Sequence, residues 1–273
     1  MPGKLTVCPT PIGNLGDITM RARDALASAD MIACEDTRRA GRLLELLEIG
    51  SQRLISYHEQ NEAERARELA QVIERGEVVV LVSDAGTPAI SDPGYRLIRA
   101  CIDRDLEVEV LPGPSAVTTA LVASGLPAHR WRFLGFLPRR TGELERVLQS
   151  AETVVAFESP RRLPESLAAL ATLAPDRPAA ICRELTKLHE EVARGSLGEL
   201  ARRFRDEVRG EIVVVIGPAR ETASADIGFA VDALRGLVRA GARPRAAASI
   251  VSALTGVPAN ELYRGITGRD PRR

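Results

Sequence analysis

A glutamate and a lysine lie three residues apart in the segment 183–187, RELTK, directly after a predicted buried strand. Lys187 is one of only two lysines in a chain that is rich in arginine. An arginine stays protonated near neutral pH, whereas a lysine can be tuned to give up its proton. Lys187 and Glu184 are therefore candidates for contact with a reacting group or for proton transfer. The alternative for Glu184 is a structural salt bridge with Arg183 or Arg161.

Other carboxylates also follow predicted strands. Glu35 and Asp36 come directly after the strand Met31–Cys34, and Glu158 comes directly after the strand Thr153–Phe157. A positioned base accelerates a reaction by ~10²–10⁴-fold, so carboxylates at strand ends are candidate bases or orienting groups. The residues alone leave open which of them acts.

The segment Glu77–Gly94, EVVVLVSDAGTPAISDPG, is the most informative stretch of the chain. Its unbroken apolar run, Val78–Val82, predicts a strand buried on both faces in the middle of a parallel sheet. A Gly/Pro-rich loop with one early carboxylate, Asp84, follows this strand and is longer than the usual connection of about two to six residues. Because open parallel sheets bind ligands at the carboxyl ends of their strands, we expect a binding loop here rather than an ordinary connection.

Residues 1–125 alternate between strands and helices five times. The predicted strands are Leu5–Cys8, Met31–Cys34, Arg53–Tyr57, Val78–Val82 and Leu106–Leu111. This alternation indicates a doubly wound α/β domain with a mostly parallel sheet. The first Gly/Pro loop, residues 9–17, matches neither GxGxxG nor GxxxxGK[ST], so dinucleotide-binding and P-loop functions lose their main support.

A second α/β block spans residues 126–220. Its predicted strands are Thr153–Phe157, Ala179–Glu184 and Ile212–Ile216, with a short extended piece near Val192. The segment Pro127–Thr141 breaks the rhythm and interleaves arginines with aromatic residues. Such a segment can stack on RNA and neutralise it, but we favour a linker packed between the two domains.

In the tail, residues 228–273, the sequence pattern predicts three helices: Phe229–Ala240, Arg245–Leu254 and Asn260–Ile266. The turn between the last two gives a helix-turn-helix outline, although one long basic side chain in the last helix, Arg264, is too little for reading duplex sequence. Eight arginines against three carboxylates give the tail a net charge of +5, and the rest of this neutral chain carries −5. This asymmetry indicates either a polyanionic partner or a solvated helical surface.

Composition narrows the class of protein. Apolar residues make up 45% of the 273 residues, and no apolar run approaches the ~20 residues of a membrane span. The N-terminus lacks a signal-peptide layout, so a cytoplasmic location is expected. The four cysteines are widely separated, which predicts buried free thiols and neither disulfides nor a metal site.

Seven motifs match a known family when taken together and in order. They are TPIGNLGDIT, EDTRR, SYHEQNE, VSDAGTPAISDPG, LPGPSA, FESPRR and CRELTKLHEE. This succession, from Leu5 to about Pro218, resembles the RsmI family of ribosomal RNA small-subunit methyltransferases I, within the tetrapyrrole-methylase-like (class III) S-adenosylmethionine methyltransferases. The resemblance implies two consecutive α/β domains, 1–125 and 126–220, with S-adenosylmethionine in the cleft between them, and a small helical extension, 228–273.

The resemblance also implies an activity and a site. The activity is 2′-O-methylation of the ribose of a decoding-centre cytidine in 16S rRNA by a homodimer. Because the sulfonium of the donor is itself strongly activated, no metal is expected. By position in the motifs, the cofactor contacts fall on Pro11, Asp84, Gly86, Thr87, Ile90, Ser115, Ala116, Phe157, Leu188 and Gly217. Candidate phosphate contacts are Arg38, Arg39, Arg42, Arg139, Arg140, Arg161 and Arg162.

Two other functions remain open at this stage. One is a methylase of the same superfold that acts on corrinoid or porphyrinoid small molecules. Those relatives usually carry a GxGPGD-like first loop, whereas this chain has PIGNLGD and adds a basic tail. The other is an RNA-binding assembly factor without catalysis.

Overall fold

The structure is a computed structural model that describes residues 3–219 and 227–267. Its first sheet has five strands in the order β3-β2-β4-β1-β5, and every neighbouring pair is parallel. The strands are β1 (Lys4–Val7), β2 (Met31–Cys34), β3 (Leu54–Ser56), β4 (Val78–Leu81) and β5 (Glu107–Val110). The predicted central strand is indeed the middle of a parallel sheet.

Helices cover both faces of this sheet, as the doubly wound prediction requires. A short 3-10 helix, Leu15–Asp17, precedes α1 (Met20–Ser28), and the others are α2 (Thr37–Leu46), α3 (Glu62–Glu74) and α4 (Tyr95–Ile102). Val79 and Leu81 of β4 enter the core with α3 and α4, whereas Val80 and Val82 enter the opposite core with α1 and α2. Burial on both faces explains why β4 lacks polar alternation.

The second sheet is mixed, in the order β6-β7-β10-β8-β9. Only β6 and β7 are parallel, and the other neighbours are antiparallel. The elements are α5 (Ala116–Ser124), β6 (Trp131–Phe136), α6 (Thr141–Leu148), β7 (Thr153–Glu158), α7 (Leu163–Leu173), β8 (Pro178–Arg183), β9 (Glu191–Ser196), α8 (Leu197–Arg203) and β10 (Ile212–Ile216).

Helix α5 connects the two halves of the molecule. It follows the last strand of the first sheet, yet Val117 and Leu121 share a buried cluster with Val155 and Val213 of the second sheet. Ile12, from the first Gly/Pro loop, joins the same cluster. The loops at the edge of the first sheet are therefore held directly against the second sheet, while the division at residue 125 stays a prediction.

The interpretation of residues 127–141 as a linker is wrong for residues 131–136, which form the edge strand β6. Trp131 pairs with Thr153 and Phe133 with Val155, and the register then shifts before Phe136. Gly135, at φ 71°, lies within this shift. An irregular edge strand loses the regular alternation by which sequence reveals strands.

The three tail helices are confirmed as α9 (Ile227–Arg239), α10 (Pro244–Thr255) and α11 (Ala259–Thr267). They bury Leu234, Val251 and Leu262 in a core of their own. Most of the predicted polar linker, 218–227, and the last arginines of the tail lie outside the described residues.

All four cysteines are buried free thiols, as predicted. Burial raises the pKa of Cys8 to about 12, which keeps this thiol protonated and unreactive. Within residues 3–219 and 227–267, no helix is long and apolar enough to cross a membrane.

A substitution at Gly94 tests whether the loop after β4 requires a backbone conformation that suits only glycine. Its φ is 149°, and a Cβ there would lie 3.1 Å from Leu81 Cδ2 and 3.2 Å from the Ala89 nitrogen. We expect Gly94→Ala to lower the free energy of unfolding by about 1–3 kcal/mol in urea titrations. The control is Gly142→Ala, where no atom lies within 4 Å and alanine should add roughly 0.5–1 kcal/mol. If the two variants were equally stable, the claim that the loop is strained at Gly94 would be wrong.

Candidate active site

The loop after β4, residues 82–94, has an unusual backbone. Gly86 has φ 77°, and two residues with side chains, Ala89 and Ser91, have φ 68° and 64°. A residue with a side chain costs of order 1–3 kcal/mol in this left-handed conformation. It persists there where the surrounding structure enforces it, commonly at functional sites. Thr87 Oγ1 donates to the Pro114 carbonyl at 3.3 Å, which joins this loop to the one before α5.

A cleft of about 330 Å³ lies between this loop and the second sheet. We call it the main cleft, and its size falls within the usual range of small-molecule sites, ~300–1,000 Å³. Its walls are Ile12, 85–87, 90–92 and 115–117 on one side and Phe136, 157–160 and 210–213 on the other.

Six of the ten predicted cofactor residues line the main cleft. They are Gly86, Thr87, Ile90, Ser115, Ala116 and Phe157. Pro11 precedes the lining residue Ile12 without lining the cleft itself, and Asp84 lines a second pocket that is described below.

The structure does not bring Leu188 and Gly217 to the main cleft. Leu188 is 93% exposed. Gly217 follows the last residue of β10, whereas the cleft is lined by residues 210–213 at the start of that strand. Because β10 is antiparallel to β7, its first residues, and not its last, lie beside the end of β7 where Phe157 faces the cleft.

Glu184 and Lys187 form an ion pair at the rim of the main cleft. Lys187 Nζ donates to Glu184 Oε1 at 2.8 Å and to Oε2 of the cleft residue Glu211 at 3.1 Å. The expected partners of Glu184 are therefore wrong, since Arg183 pairs with Glu191 and Arg161 lies 3.8 Å from Glu207.

This ion pair makes neither group suitable as a general base at neutral pH. Burial alone would lower the pKa of Lys187, but the hydrogen bonds to Glu184 and Glu211 raise it above its ordinary value. The hydrogen bond from Lys187 and the one from the Glu211 backbone lower the pKa of Glu184. At neutral pH the pair is a fixed ammonium and carboxylate, and the catalytic role of either group stays a hypothesis.

Glu158 lines the main cleft, but its carboxylate is held inside the protein. It accepts hydrogen bonds from Ser166 Oγ and from the Ser159 backbone, both at 2.6 Å, and it lies 3.2 Å from Arg162. Arg162 also donates to the Leu137 carbonyl at 3.1 Å. This predicted phosphate contact is thus a structural ion-pair partner in the described structure.

A second cavity of about 500 Å³ opens at the carboxyl ends of β2, β3 and β4. We call it the polar pocket, and its walls are 35–38, Ser56, 58–60 and Asp84. Arg38 and Arg39 begin α2 at its edge and pair with Asp36 at 2.7 Å and Asp84 at 3.1 Å.

Two sequence-predicted carboxylates of the polar pocket differ in basicity. Asp36 is the N-cap of α2, and hydrogen bonds from the Arg38 side chain and backbone hold its pKa well below the usual range. Burial, followed by the nearby charge of Asp84, raises the pKa of Glu35. Asp36 is therefore a poor proton acceptor, and Glu35 is a better one.

Sequence reasoning missed Asp92, which lines the main cleft. Burial, with the charge of Glu35 as the next cause, raises its pKa to about 6. The sequence did contain a signal, because Asp92 lies in the same Gly/Pro-rich loop as Asp84, eight positions further along the chain.

The other candidate phosphate contacts differ in availability. Arg139 and Arg140 are exposed between β6 and α6, and Arg161 is exposed with a distant partner. Arg42 pairs with Glu45 along α2. Among the described residues, no group of three or more His, Cys, Asp or Glu side chains is arranged to hold a metal ion.

Comparison with known proteins defines the class first. Residues 4–201 match the family of Tetrapyrrole (Corrin/Porphyrin) Methylases. Diphthine synthase superposes with a TM-score of 0.63 at 16% identity, covering 78% of this chain and 90% of that one. A uroporphyrin-III C-methyl transferase from Thermus thermophilus, complexed with S-adenyl homocysteine, gives 0.56 at 21% identity, covering 79% and 97%. The tetrapyrrole-methylase fold is thereby established.

Sequence relatives narrow the class to one family. The ribosomal RNA small subunit methyltransferase I of Mycobacterium bovis is 47% identical over 271 residues, which is 97% of this chain and 94% of the relative. The protein of the same name from Micromonospora olivasterospora is 45% identical, covering 97% and 86%. This chain belongs to the ribosomal RNA small subunit methyltransferase I family, as the seven motifs predict.

Lys187→Arg tests the role of the rim ion pair. Arginine keeps the positive charge between Glu184 and Glu211 but cannot transfer a proton. We expect single-turnover methyl transfer within about 3-fold of wild type, because the raised pKa already keeps Lys187 protonated. A loss of about 100-fold or more, with donor affinity unchanged, would restore Lys187 as a proton-transfer candidate.

Proposed function

We propose that this protein transfers the methyl group of S-adenosylmethionine to the ribose 2′-hydroxyl of a decoding-centre cytidine in 16S rRNA. The observation that carries the proposal is the match over 97% of the chain to relatives named ribosomal RNA small subunit methyltransferase I. The main cleft supports it, because six residues expected to hold the donor line one cavity between the two sheets.

The walls of the main cleft suit the chemical groups of the donor. Ser115, the N-cap of α5, makes no side-chain capping bond, so the first-turn backbone N–H groups are available to a carboxylate. Ile12, Ile90 and Phe157 supply apolar surface for a nucleoside. S-adenosylmethionine, when bound, supplies a methyl group activated by its attachment to a positively charged sulfur.

Carboxylates of the cleft complement that positive charge. Asp92 and Glu211 line the cleft on opposite sides. Glu211 is held in place by Lys187, which limits its reorganisation when a cation enters. Charges that are already fixed in a partly closed cleft stabilise the transition state better than water does, because they do not have to reorganise during the reaction.

The protein must then align the ribose oxygen with the methyl group and the sulfur, and it must remove the proton of the hydroxyl group. Fixing the two reactants in line supplies up to ~7–11 kcal/mol of barrier reduction, so rigid loops suit this reaction. Hydrogen bonds from Ser83 Oγ to the Ala85 and Gly86 carbonyls, each 3.3 Å, stiffen the cleft loop from within.

Basic residues on the surface supply affinity for the RNA backbone. Arg139 and Arg140 lie in the segment that joins β6, whose Phe136 lines the main cleft, to α6. The arginine-rich tail adds a region of net charge +5. Each neutralised phosphate releases counterions and contributes sequence-independent affinity.

We also infer that the protein acts as a homodimer in the cytoplasm, where ribosomal subunits are assembled. The family resemblance supports this inference. Met20, Val122 and Leu188 are 83%, 77% and 93% exposed, and a subunit interface could bury such apolar side chains.

Transfer of label from radioactive S-adenosylmethionine tests the activity. With small ribosomal subunits from cells that lack this methyltransferase, we expect stoichiometric labelling of 16S rRNA at one cytidine. That position should become resistant to alkaline cleavage, because the 2′-oxygen is blocked. Labelling of a porphyrinoid but not of RNA would indicate the small-molecule methylase, and RNA binding without transfer would indicate an assembly factor.

The double variant Arg139→Ala/Arg140→Ala tests the phosphate contacts. We expect weaker binding of the small subunit and a salt dependence of log K that is shallower by roughly 0.7 for each lost contact to single-stranded RNA. Arg67→Ala is the control, because Arg67 is exposed on α3 and contacts its own helix at the Ala63 carbonyl. Equal salt slopes for the two variants would remove residues 139 and 140 from the interface.

A further inference from the structure

The main cleft and the polar pocket meet at the start of the loop after β4. Asp84 lines the polar pocket, and the next residue, Ala85, lines the main cleft. Asp92, from the same loop, lines the main cleft, whereas Glu35 lines the polar pocket. The pKa of Asp92 is raised by burial and then by the charges of Glu35 and Asp84.

We propose that the polar pocket receives the acceptor nucleoside and that Asp92 accepts the proton of its ribose hydroxyl. This proposal rests on the function proposed above. It assigns the base that sequence reasoning left open, and it gives the polar pocket a ligand of defined chemistry, a nucleoside with its ribose directed at the main cleft.

The polar pocket has the groups that a nucleoside requires. Ser56, His58 and Gln60 offer hydrogen-bonding groups beside the carboxylates.

The entrance of the polar pocket carries positive charge. Arg38 and Arg39 are 89% and 67% exposed. Arg38 donates two hydrogen bonds to the Asp36 carboxylate, whereas Arg39 makes a single ion pair with Asp84. An exposed single pair such as that of Arg39 is worth only ~0–1 kcal/mol, so a phosphate can draw this guanidinium group away easily. An RNA backbone can thus pass the rim while the sugar enters the acidic interior.

Asp92 is the cleft carboxylate that is least engaged by cations. Glu158 is paired with Arg162, and Glu211 with Lys187. The charged or titratable groups that act on Asp92 and its neighbours are Glu35 and Asp36 after β2, His58 after β3, Asp84 after β4 and Arg39 of α2.

The Ser83 hydroxyl lies beside Asp92 and places no cation there. A carboxylate that lacks a salt-bridge partner is free to take up a proton from a hydroxyl group in the cleft.

The step is balanced without any further reactant. A lone pair of the ribose 2′-oxygen forms the new bond to the methyl carbon as the carbon–sulfur bond breaks. The electron pair of that bond stays on sulfur, which changes from a sulfonium cation to a neutral thioether. The hydroxyl proton moves to Asp92 Oδ and is later released to water.

The electrostatics of the junction suit this role. Burial and the neighbouring charges place the pKa of Asp92 at about 6, above the 3.8 of an ordinary aspartate. The group is ionised at pH 7.5, yet it holds a proton better than an exposed carboxylate. Because the ionised form is the active one, the rate should fall as pH decreases through about 6.

Asp92→Asn is the direct test, measured by single-turnover transfer to unmethylated small subunits at pH 7.5. We expect the rate to fall at least ~100-fold while affinity for S-adenosylmethionine, measured by calorimetry, stays within a few fold. Asp103→Asn is the matched control, because Asp103 is exposed and pairs with Arg99 of α4. Thermal unfolding of both variants shows whether each is folded.

Glu35→Gln is the second test, and it does not depend on the stability of the first variant. Removing a like charge stabilises ionised Asp92, so the acid limb of the rate profile should move to lower pH. An Asp92→Asn variant that is folded and active, or an acid limb that Glu35→Gln leaves in place, would overturn the assignment of Asp92. A wild-type protein without transfer to RNA would instead overturn the proposed function.

Discussion

The site depends on two backbone hydrogen bonds between Thr10 and Gly86. Thr10 N donates to the Gly86 carbonyl at 2.9 Å, and Gly86 N donates to the Thr10 carbonyl at 3.0 Å. They join the loop after β1 to the loop after β4, and the Thr10 side chain adds a bond to the Ser83 carbonyl at 3.2 Å. This pairing extends the contact between β1 and β4 into the two loops that form one wall of the main cleft.

The difference between the two sheets explains why the site is built from unequal parts. In the parallel first sheet, every carboxyl-terminal loop reaches the same edge, so Gly86, Asp92 and Ser115 converge there. In the mixed second sheet, neighbouring strands reach the cleft from opposite ends, and β7 contributes its last residues while β10 contributes its first. This arrangement places Glu158 and Glu211 across the cleft from the loops.

The sequence predicts the fold well where burial is continuous. Val78–Val82 and Ile212–Ile216 are apolar on both faces and were identified as buried strands, and the tail helices were placed within a few residues of their observed ends. The edge strand β6 was missed, because a register shift and an exposed face interrupt its pattern.

The site was only partly predictable, because charge pairing depends on distances that sequence does not contain. Loop residues such as Gly86 and Ser115 were found from their position after strands. The partner of Glu184 was not, since a three-residue spacing does not show whether Lys187 or Arg183 turns toward it. Asp92 was overlooked for the same reason: its basicity comes from burial and then from the charge of Glu35, which is distant in sequence and belongs to another strand end.

Amide hydrogen exchange, with and without S-adenosylmethionine, tests the central claim most directly. The claim is that the donor occupies the cleft between the two sheets. We predict slower exchange in residues 85–92, 115–117 and 210–213, with little change in the tail helices. Protection confined to other segments, or no protection at saturating donor, would contradict the account.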